Sequence, residues 1–535
     1  MTLPNDNFAP LEPVLDLDDI QGAVVPGFLK PHQTLLGVQF STESRLAAAR
    51  HSLLEKLVGE VSSGRQGLAD RQDFRARGKK RKAYGGIVLT GLGFSSAGLN
   101  RIAPGTTRIP CEAFQRGLVG RSALLGDSAD PGNEGNPAKW KVGGPGKELD
   151  ALVLVAGDCR QEVTKRADEL ASRFEAARVS ILYREDGNVL TGDRKGHEHF
   201  GFDDGISQPG IRGREPDEPH AFITERHIDP THTPETWLYG YPGQDLIWPG
   251  EFVIGYPRTG PDPLLPGPPD PTLPGWTRNG SFLVFRRLRQ DVGLFWRTMR
   301  DRAAELAGKP AFVGMDDVRL ASLLVGRWPS GAPFVRTPHH DDLGLGEDPL
   351  ANNNFLFDSD TPPLQLTRGR EDDYPLAKAD PVGMTCPWAA HIRKLNTRDS
   401  ASDLGGREST YGRRVLRVGI PFGKALEDKY ATIDRDPQKG DRGLLFLSIQ
   451  ASIEQQFEFL MSRWINNSAR PKMPGGNDML IGQNTVAENR IRQCVLFGSD
   501  HQQEVLQARE QWVIPTGGGY FFMPSITALL NLIAK

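Results

Sequence analysis

The chain alternates short apolar runs, rich in β-branched residues, with segments whose apolar residues recur at helical spacing. In the first half, residues 87–94 (IVLTGLGF) and residues 152–155 (LVLV) have the composition of buried strands. Apolar residues three or four positions apart then predict an amphipathic helix, with Val163, Ala167, Leu170, Phe174 and Ala177 on one face. An earlier helix is predicted by the spacing of Leu46, Ala49, Leu53 and Leu57.

The second half repeats this order of elements. Residues 415–422 (VLRVGIPF) and residues 444–447 (LLFL) are predicted strands. A helix is predicted to follow them, with Ile449, Ile453, Phe457, Leu460 and Trp464 on one face. The pattern therefore indicates an α+β protein of two similar halves, each with helices packed on a sheet.

Two stretches lack the periodicity of helices or strands. Residues 210–275 are rich in Pro, Gly and Asp (PDPLLPGPPDPTLPG), which cannot sustain a helix or a central strand. Residues 330–381 are also irregular, and loops of that length often serve function or wrap a site. We therefore predict an N-terminal half over residues 1–210, a connection over residues 211–275, and a C-terminal half over residues 276–535.

Charge and cysteine content exclude several classes of protein. The chain has 64 Lys and Arg against 67 Asp and Glu, a formal net charge of −3, so no overall field attracts nucleic acid or an anionic membrane. Its four cysteines lie far apart without a CxxC pair, which argues against a disulfide framework, a zinc knuckle or an iron–sulfur cluster.

The first twenty residues (MTLPNDNFAPLEPVLDLDDI) carry acidic residues where a signal peptide has basic and then apolar ones. The apolar stretches also fall short of the roughly 20 residues that span a bilayer. The sequence therefore predicts a cytoplasmic protein without a membrane segment.

Several common catalytic motifs are missing. Residues 143–148 (GGPGKE) lack the Walker spacing, and the chain has neither a GxGxxG after a predicted strand nor a GxSxG. Nucleotide binding and serine hydrolysis are therefore disfavoured. Two histidine clusters, His197-Glu198-His199 and residues 339–342 (HHDD), keep a non-haem metal site open as an alternative, although neither has HExxH spacing.

Adjacent acids stand in residues 197–210 (HEHFGFDDGISQPG). Phe200 and Phe202 suggest a half-buried environment, where desolvation raises the pKa of a carboxyl group and prepares it for proton transfer. On the pattern alone, an Asp that caps a turn explains Asp203 or Asp204 equally well.

Several distinctive blocks lie in order along nearly the whole chain. They are LDLDDIQGAVVPGF at 15–28, GFDDG at 201–205 continuing into ISQPG, IWPGEFVIGY at 247–256, TCPWAAHIRKLNTR at 385–398, RRVLRVGIPFG at 413–423 and GGGYFFMPS at 517–525. Together these blocks resemble the dye-decolourising peroxidases, in the larger form of that family, whose GxxDG motif residues 201–205 match.

The resemblance implies two ferredoxin-like halves, each an antiparallel sheet with packed helices, and one haem b held mainly by the C-terminal half. It identifies His391 as the iron ligand, and we expect Asp478 to be the carboxylate partner of its other ring nitrogen. Asp204 would move the peroxide proton, and Arg417 would supply fixed positive charge where the O–O bond breaks.

Other cofactor contacts follow from the same resemblance. Leu444 and Phe446 alternate along a strand and would form an apolar wall over the haem, joined by Phe202. Arg393 and Arg398 stand close to the ligand in sequence and are expected to pair with the haem propionates. At position 397 this chain has Thr where family members often have Pro, a departure that touches only a loop.

The implied activity is reduction of hydrogen peroxide and oxidation of organic donors, such as dyes and phenolics, through an oxoferryl intermediate. A haem carrier or sensor on the same fold is the alternative, which retention of Asp204 and Arg417 disfavours. Donors too bulky for a haem pocket would be oxidised at surface aromatic residues, for which Trp388 and Tyr411 are candidates.

Overall fold

Strands from both halves of the chain build one antiparallel sheet. The computed structural model describes residues 12–43, 46–77, 87–105, 107–203, 205–216, 221–228, 238–362, 373–430, 440–483 and 491–533. In these ranges the sheet has nine strands: β1 His32–Gln39, β2 Leu89–Phe94, β3 Ala151–Gly157, β4 Ser180–Asn188, β5 Ser281–Gln290, β6 Leu416–Arg417, β7 Ile420–Phe422, β8 Gly443–Gln450 and β9 Val513–Met523.

The order of the strands shows two equivalent quartets. The first runs β4-β1-β3-β2 and the second runs β7-β8-β5-β9, with the short β6 also paired to β8. Numbered within its own half, and with the second quartet read from β9, each quartet has the order 4-1-3-2 of a ferredoxin-like sheet, so the predicted fold class is confirmed. The quartets meet through the pairs Gly187–Phe422 and Phe94–Phe522, which close the sheet into a barrel. Because the sheet is continuous, the boundaries at residues 210 and 275 stay a prediction.

Alternation along the strands separates the interior of the barrel from the helical layer. Leu152, Leu154 and Ala156 of β3 belong to the apolar cluster inside the barrel. Val153 and Val155, between them, pack with the helices outside, because successive side chains of a strand point to opposite faces. The predicted helix face is confirmed for Arg160–Ala176, in which Val163, Ala167, Leu170 and Phe174 are buried.

In both halves a helix follows the first strand of the quartet and another follows the third. The described α-helices are Ala47–Val58, Gly64–Arg77, Ser96–Ile102, Glu112–Leu125, Arg160–Ala176, Val292–Ala307, Asp317–Val325, Leu343–Glu347, His391–Leu395 and Ile526–Ile533. A strand pair outside the barrel, Arg492–Phe497 with Gln503–Ala508, was not predicted. In the ranges that the structure covers, no helix has the length and apolar composition to span a bilayer. The four cysteines are free thiols.

Two predicted elements of the second half differ in the structure. Residues 415–422 form the two short strands β6 and β7, separated by Val418 and Gly419. A Cβ atom at Gly419 would lie 2.8 Å from the carbonyl oxygen of Leu445, so this close approach requires glycine. Ile449 lies in β8 rather than in a helix, since it pairs with Leu283 of β5. The helix that follows consists of the π-helical segments Ile453–Glu458 and Leu460–Ile465.

The two long irregular stretches contain little regular structure where they are described. Within residues 210–275 the strands are only two residues long: Gly210–Ile211 pairs with Leu246–Ile247, and Arg258–Thr259 pairs with Pro266–Gly267. Within residues 330–381 the helix Leu343–Glu347 is the regular element among the residues that can be described.

Candidate active site

A cavity of about 1410 Å³ lies against the outer face of the second quartet. Leu444 and Phe446 of β8 line it, whereas Leu445 and Leu447 belong to the barrel interior. Pockets for small ligands usually measure roughly 300–1,000 Å³. The space therefore accommodates a large prosthetic group together with a second molecule.

His391 lines this cavity from the first residue of the short helix His391–Leu395. Its Nδ1 atom lies 2.6 Å from Oδ2 of Asp478. The other carboxylate oxygen, Oδ1, accepts backbone N–H groups of Leu480 and Ile481, both at 3.0 Å. An ionised carboxylate can only accept, so Nδ1 carries the proton and Nε2 is the ring nitrogen suited to bind a metal.

Asp478 is fully buried, and its charge state follows from its hydrogen bonds. Burial raises the pKa of this carboxyl group, but His391 and the backbone N–H of Ile481 lower it by more. The resulting pKa lies below the usual range. The carboxylate is therefore ionised at neutral pH and strengthens the imidazole as an electron donor.

Arg417 of β6 lines the same cavity and is held by the segment that follows the GxxDG motif. Its Nη2 atom donates to the carbonyl oxygen of Ser207 at 2.8 Å. The side-chain amide of Gln208 bonds the Arg417 backbone twice, donating to its carbonyl at 3.0 Å and accepting its N–H at 3.2 Å. Gly205 also lines the cavity, while Asp204 lies outside the described residues.

The three apolar residues expected at the haem all line the cavity: Phe202, Leu444 and Phe446. Phe202 stacks on Trp296 with ring centroids 6.1 Å apart. Phe446 contacts Phe457 at 6.2 Å. An apolar face of this kind suits a flat macrocycle, since burying apolar area is the main source of binding energy for such a group.

Arg393 and Arg398 do not line the cavity, which corrects their expected contact with the propionates. Arg393 donates to Oδ2 of Asp380 at 3.0 Å and to the carbonyl of Cys386 at 2.7 Å. Arg398 donates to Oδ1 of Asn353 at 2.6 Å and lies 3.6 Å from the ring centre of Phe355. Both guanidinium groups are buried and use their N–H groups to hold loops beside the His391 helix.

The histidine clusters do not assemble a metal site in the described part of the chain. Nε2 of His197 bonds the carbonyl of Pro329 at 2.9 Å, and Nε2 of His199 bonds that of Phe422 at 2.8 Å. Burial lowers the pKa of His199 to about 4, so this ring is neutral. Glu198 accepts the backbone N–H groups of Phe200 and Phe202, which orders the segment leading to GxxDG.

Trp388 and Tyr411 are 2% and 1% exposed, so their assignment as surface aromatic residues is wrong. Trp388 packs against the guanidinium of Arg393 at 4.1 Å. Gln208 is a residue of the site that sequence reasoning did not single out. Its signal was its place in ISQPG, directly after the matched motif, but nothing in the sequence indicates that its amide bonds Arg417.

A large cavity, an imidazole fixed by a buried carboxylate, an anchored arginine and an apolar wall are together the features of a haem-dependent oxidoreductase. A family sequence model, described as the DyP dimeric alpha+beta barrel domain, matches residues 19–190. The dye-decolorizing peroxidase of Exidia glandulosa is 30% identical over 523 residues, which are 97% of this chain and 87% of that protein.

Solved structures agree with this sequence similarity. The structure of an ancestral D-type dye decolorizing peroxidase superposes with a TM-score of 0.74 and 32% identity, covering 98% of this chain and 100% of that one. A dye-decolorizing peroxidase in complex with 2,6-dimethoxyphenol gives a TM-score of 0.70 and 28% identity, with the same coverage. The chain belongs to the dye-decolorizing peroxidase family, and it is a peroxidase.

Proposed function

We propose that this peroxidase binds one haem b per chain in the cavity, with Nε2 of His391 as the iron ligand, and oxidises dyes and phenolics with hydrogen peroxide. The observation that carries the proposal is that His391 lines the cavity while its Nδ1 bonds a fully buried carboxylate. The hydrogen bond from Nδ1 to Asp478 orients the imidazole ring and increases its basicity, which favours high oxidation states of iron.

The residues present fit a haem. The His391 imidazole would be the iron ligand, Phe202, Leu444 and Phe446 would offer an apolar face, and Asp478 fixes the ring tautomer. A haem held there would supply the redox chemistry that couples two-electron reduction of peroxide to one-electron oxidation of donors. A haem carrier or sensor would need the same residues on the His391 side, but it would not need Asp204 and Arg417.

On the peroxide side, the two polar residues have separate tasks. The carboxylate of Asp204 takes the proton from the near oxygen of peroxide and returns it to the far oxygen, which leaves as water. Arg417 places positive charge where negative charge develops during this cleavage. Ser207 and Gln208 support the role of Arg417, because they hold it in place before peroxide arrives.

The choice of donor follows from the size of the cavity and from the relatives. A related peroxidase has been solved with 2,6-dimethoxyphenol, and we propose that phenols of similar size are donors here. The cytoplasmic location stays a prediction of the sequence, and fractionation of the producing cells tests it.

The test of the proposed function is an absorption spectrum of protein from haem-supplied cells, before and after one equivalent of hydrogen peroxide. We expect a ferric Soret band that shifts on addition of peroxide and returns when a phenol is added. A Soret band indifferent to peroxide would favour the carrier or sensor, and the lack of any haem band would contradict the proposal.

Bulky dyes need a donor site nearer the surface, and Tyr430 is the residue we propose for it. Its hydroxyl donates to Asp317, and its side chain is partly exposed. The ammonium group of Lys429 lies 4.9 Å from the Tyr430 ring centre and 3.8 Å from that of Trp296, which stacks on Phe202 in the cavity wall. An electron can leave Tyr430 along this path while its phenolic proton moves to Asp317.

We expect Tyr430→Phe to slow oxidation of a bulky anionic dye about tenfold, or about 1.4 kcal/mol in activation free energy, with 2,6-dimethoxyphenol turnover unchanged. The reason is that a phenyl ring without the hydroxyl is much harder to oxidise and has no phenolic proton to pass to Asp317. Tyr241→Phe is the matched control, since Tyr241 is also partly exposed with its hydroxyl near a carboxylate, Glu225. Equal loss with both donors, or in both variants, would contradict the path.

A further inference from the structure

Two buried cations bracket the loop that carries Asp478. Lys394 is fully buried and donates to the carbonyl oxygens of Gly476, Arg470 and Asn467, the last two at 2.6 and 3.1 Å. Gly476 stands two residues before Asp478. The ammonium group therefore fixes the loop on the N-terminal side of the carboxylate.

Arg492 fixes the loop on the other side. Its Nη1 atom donates to the carbonyl of Met479 at 2.7 Å, the residue after Asp478, and Nη2 donates to the carbonyl of Glu510. The guanidinium also lies 4.7 Å from the ring centre of Trp512. It is fully buried, like Lys394.

Asp478 is the charge on which both cations act. Within the described residues, the hydrogen bonds of Lys394 and Arg492 end on backbone carbonyls, and neither group forms an ion pair. Burial lowers the pKa of Lys394 to about 8 and that of Arg492 to about 10, and the charge of Asp478 opposes the shift in each case. Buried charges are weakly screened, so the positive charges of Lys394 and Arg492 both act on the Asp478 carboxylate, and Glu510 also acts on Arg492.

We infer that Lys394 and Arg492 are positioning residues that set the electron-donating strength of the His391–Asp478 pair, an inference that rests on the proposed function of His391 as the iron ligand. Positive charge beside the carboxylate draws its negative charge away from Nδ1–H of His391. The imidazole is then a weaker donor, and the ferrous state is relatively more stable than it would be beside Asp478 alone.

The test is the ferric/ferrous midpoint potential of the haem-loaded protein at pH 6, where Lys394 is protonated. We expect Lys394→Met to lower the ferrous-to-ferric ratio at a fixed potential about tenfold, which is a fall of about 59 mV for a one-electron couple. Asp478 stays ionised in this variant, since His391, two backbone N–H groups and Arg492 remain. Lys394→Arg keeps the charge and should restore most of the potential.

Two further variants separate the charge from general disturbance. Arg336→Met is the matched control: Arg336 is a buried arginine that bonds the carbonyls of Ala351, Asn354 and Tyr374, none of which belongs to the Asp478 loop, and its loss should leave the potential unchanged. Asp478→Asn should change the potential in the opposite direction to Lys394→Met, because it removes the negative charge.

The outcomes are distinguishable. An unchanged or raised potential in Lys394→Met with an intact Soret band, or an equal fall in Arg336→Met, would overturn the inference alone. If Lys394→Met fails to retain haem, Arg492→Met is compared with Arg492→Lys instead. The inference then predicts a lower midpoint potential in Arg492→Met and a potential near the parental value in Arg492→Lys. A parent protein whose haem is not bound through histidine would instead overturn the proposed function.

Discussion

Replacing His391 with alanine is expected to remove most of the haem from the purified protein. The cavity would keep its apolar wall, but it would lose the imidazole whose Nδ1 is fixed by Asp478 at 2.6 Å. Loss of a partner behind a metal ligand alone costs 10–100-fold in affinity, so loss of the ligand itself should cost more than about 100-fold. The haem-to-protein ratio, from the Soret absorbance and a total protein assay, measures the effect.

Two controls make this result specific. His199→Ala removes a buried histidine that bonds the carbonyl of Phe422 and does not line the cavity, and it should retain haem. Millimolar imidazole added to His391→Ala should restore a Soret band, because it can fill the vacated position beside Asp478. A His391→Ala protein that keeps its haem without imidazole would show that another side chain is the ligand.

The sequence predicts those features of the fold that depend on local patterns of apolar residues. Helical spacing located the buried face of Arg160–Ala176, and the apolar run at 152–155 located β3, which is buried on both faces. The closing of two sheets into one barrel has no such pattern. It depends on single pairs between distant strands, such as Gly187 with Phe422, where a Cβ atom at position 187 would lie 2.3 Å from Ile420.

In the active site, too, local sequence patterns do not show which residues the fold brings together. The motif around His391 located one partner of the predicted pair, and the structure joins it to Asp478, 87 residues away. Arg393 was expected at the haem propionates because it is close to His391 in sequence. Residues two apart on a helix do not face the same way, so this expectation is wrong. The helix His391–Leu395 brings His391 to the cavity wall, while Arg393 donates to Asp380 inside the neighbouring loop.

Burial is also hard to read from a motif. Trp388 stands three residues before His391, and the sequence predicts it at the surface, yet it is enclosed by Arg393 and Lys472. Tyr430 has no motif around it, and its candidacy depends on contacts with Lys429 and Asp317 that only the folded chain brings together.

Asp204→Asn is expected to keep haem but to slow the reaction with hydrogen peroxide about 10²–10⁴-fold, the usual contribution of a general acid–base residue. Asparagine has the size of aspartate and can accept a hydrogen bond, but it cannot take the peroxide proton and return it. Stopped-flow absorbance measures the step directly, as the rate of the Soret change against peroxide concentration. Titration with a phenol under saturating peroxide should show the donor steps unchanged.

The adjacent acid provides the matched control for this prediction. Asp203 donates its backbone N–H to the carbonyl of Pro329, and Asp203→Asn should react with peroxide at the parental rate.

Arg417→Leu tests the second group: it should also keep haem and slow the same step, because the charge that Ser207 and Gln208 hold at the cavity is lost. Parental speed in Asp204→Asn together with a slow Arg417→Leu would leave Arg417 as the leading residue, with water carrying the proton. Slow reaction in both would support a shared task, since one residue moves the proton while the other stabilises the charge that the moving proton leaves behind.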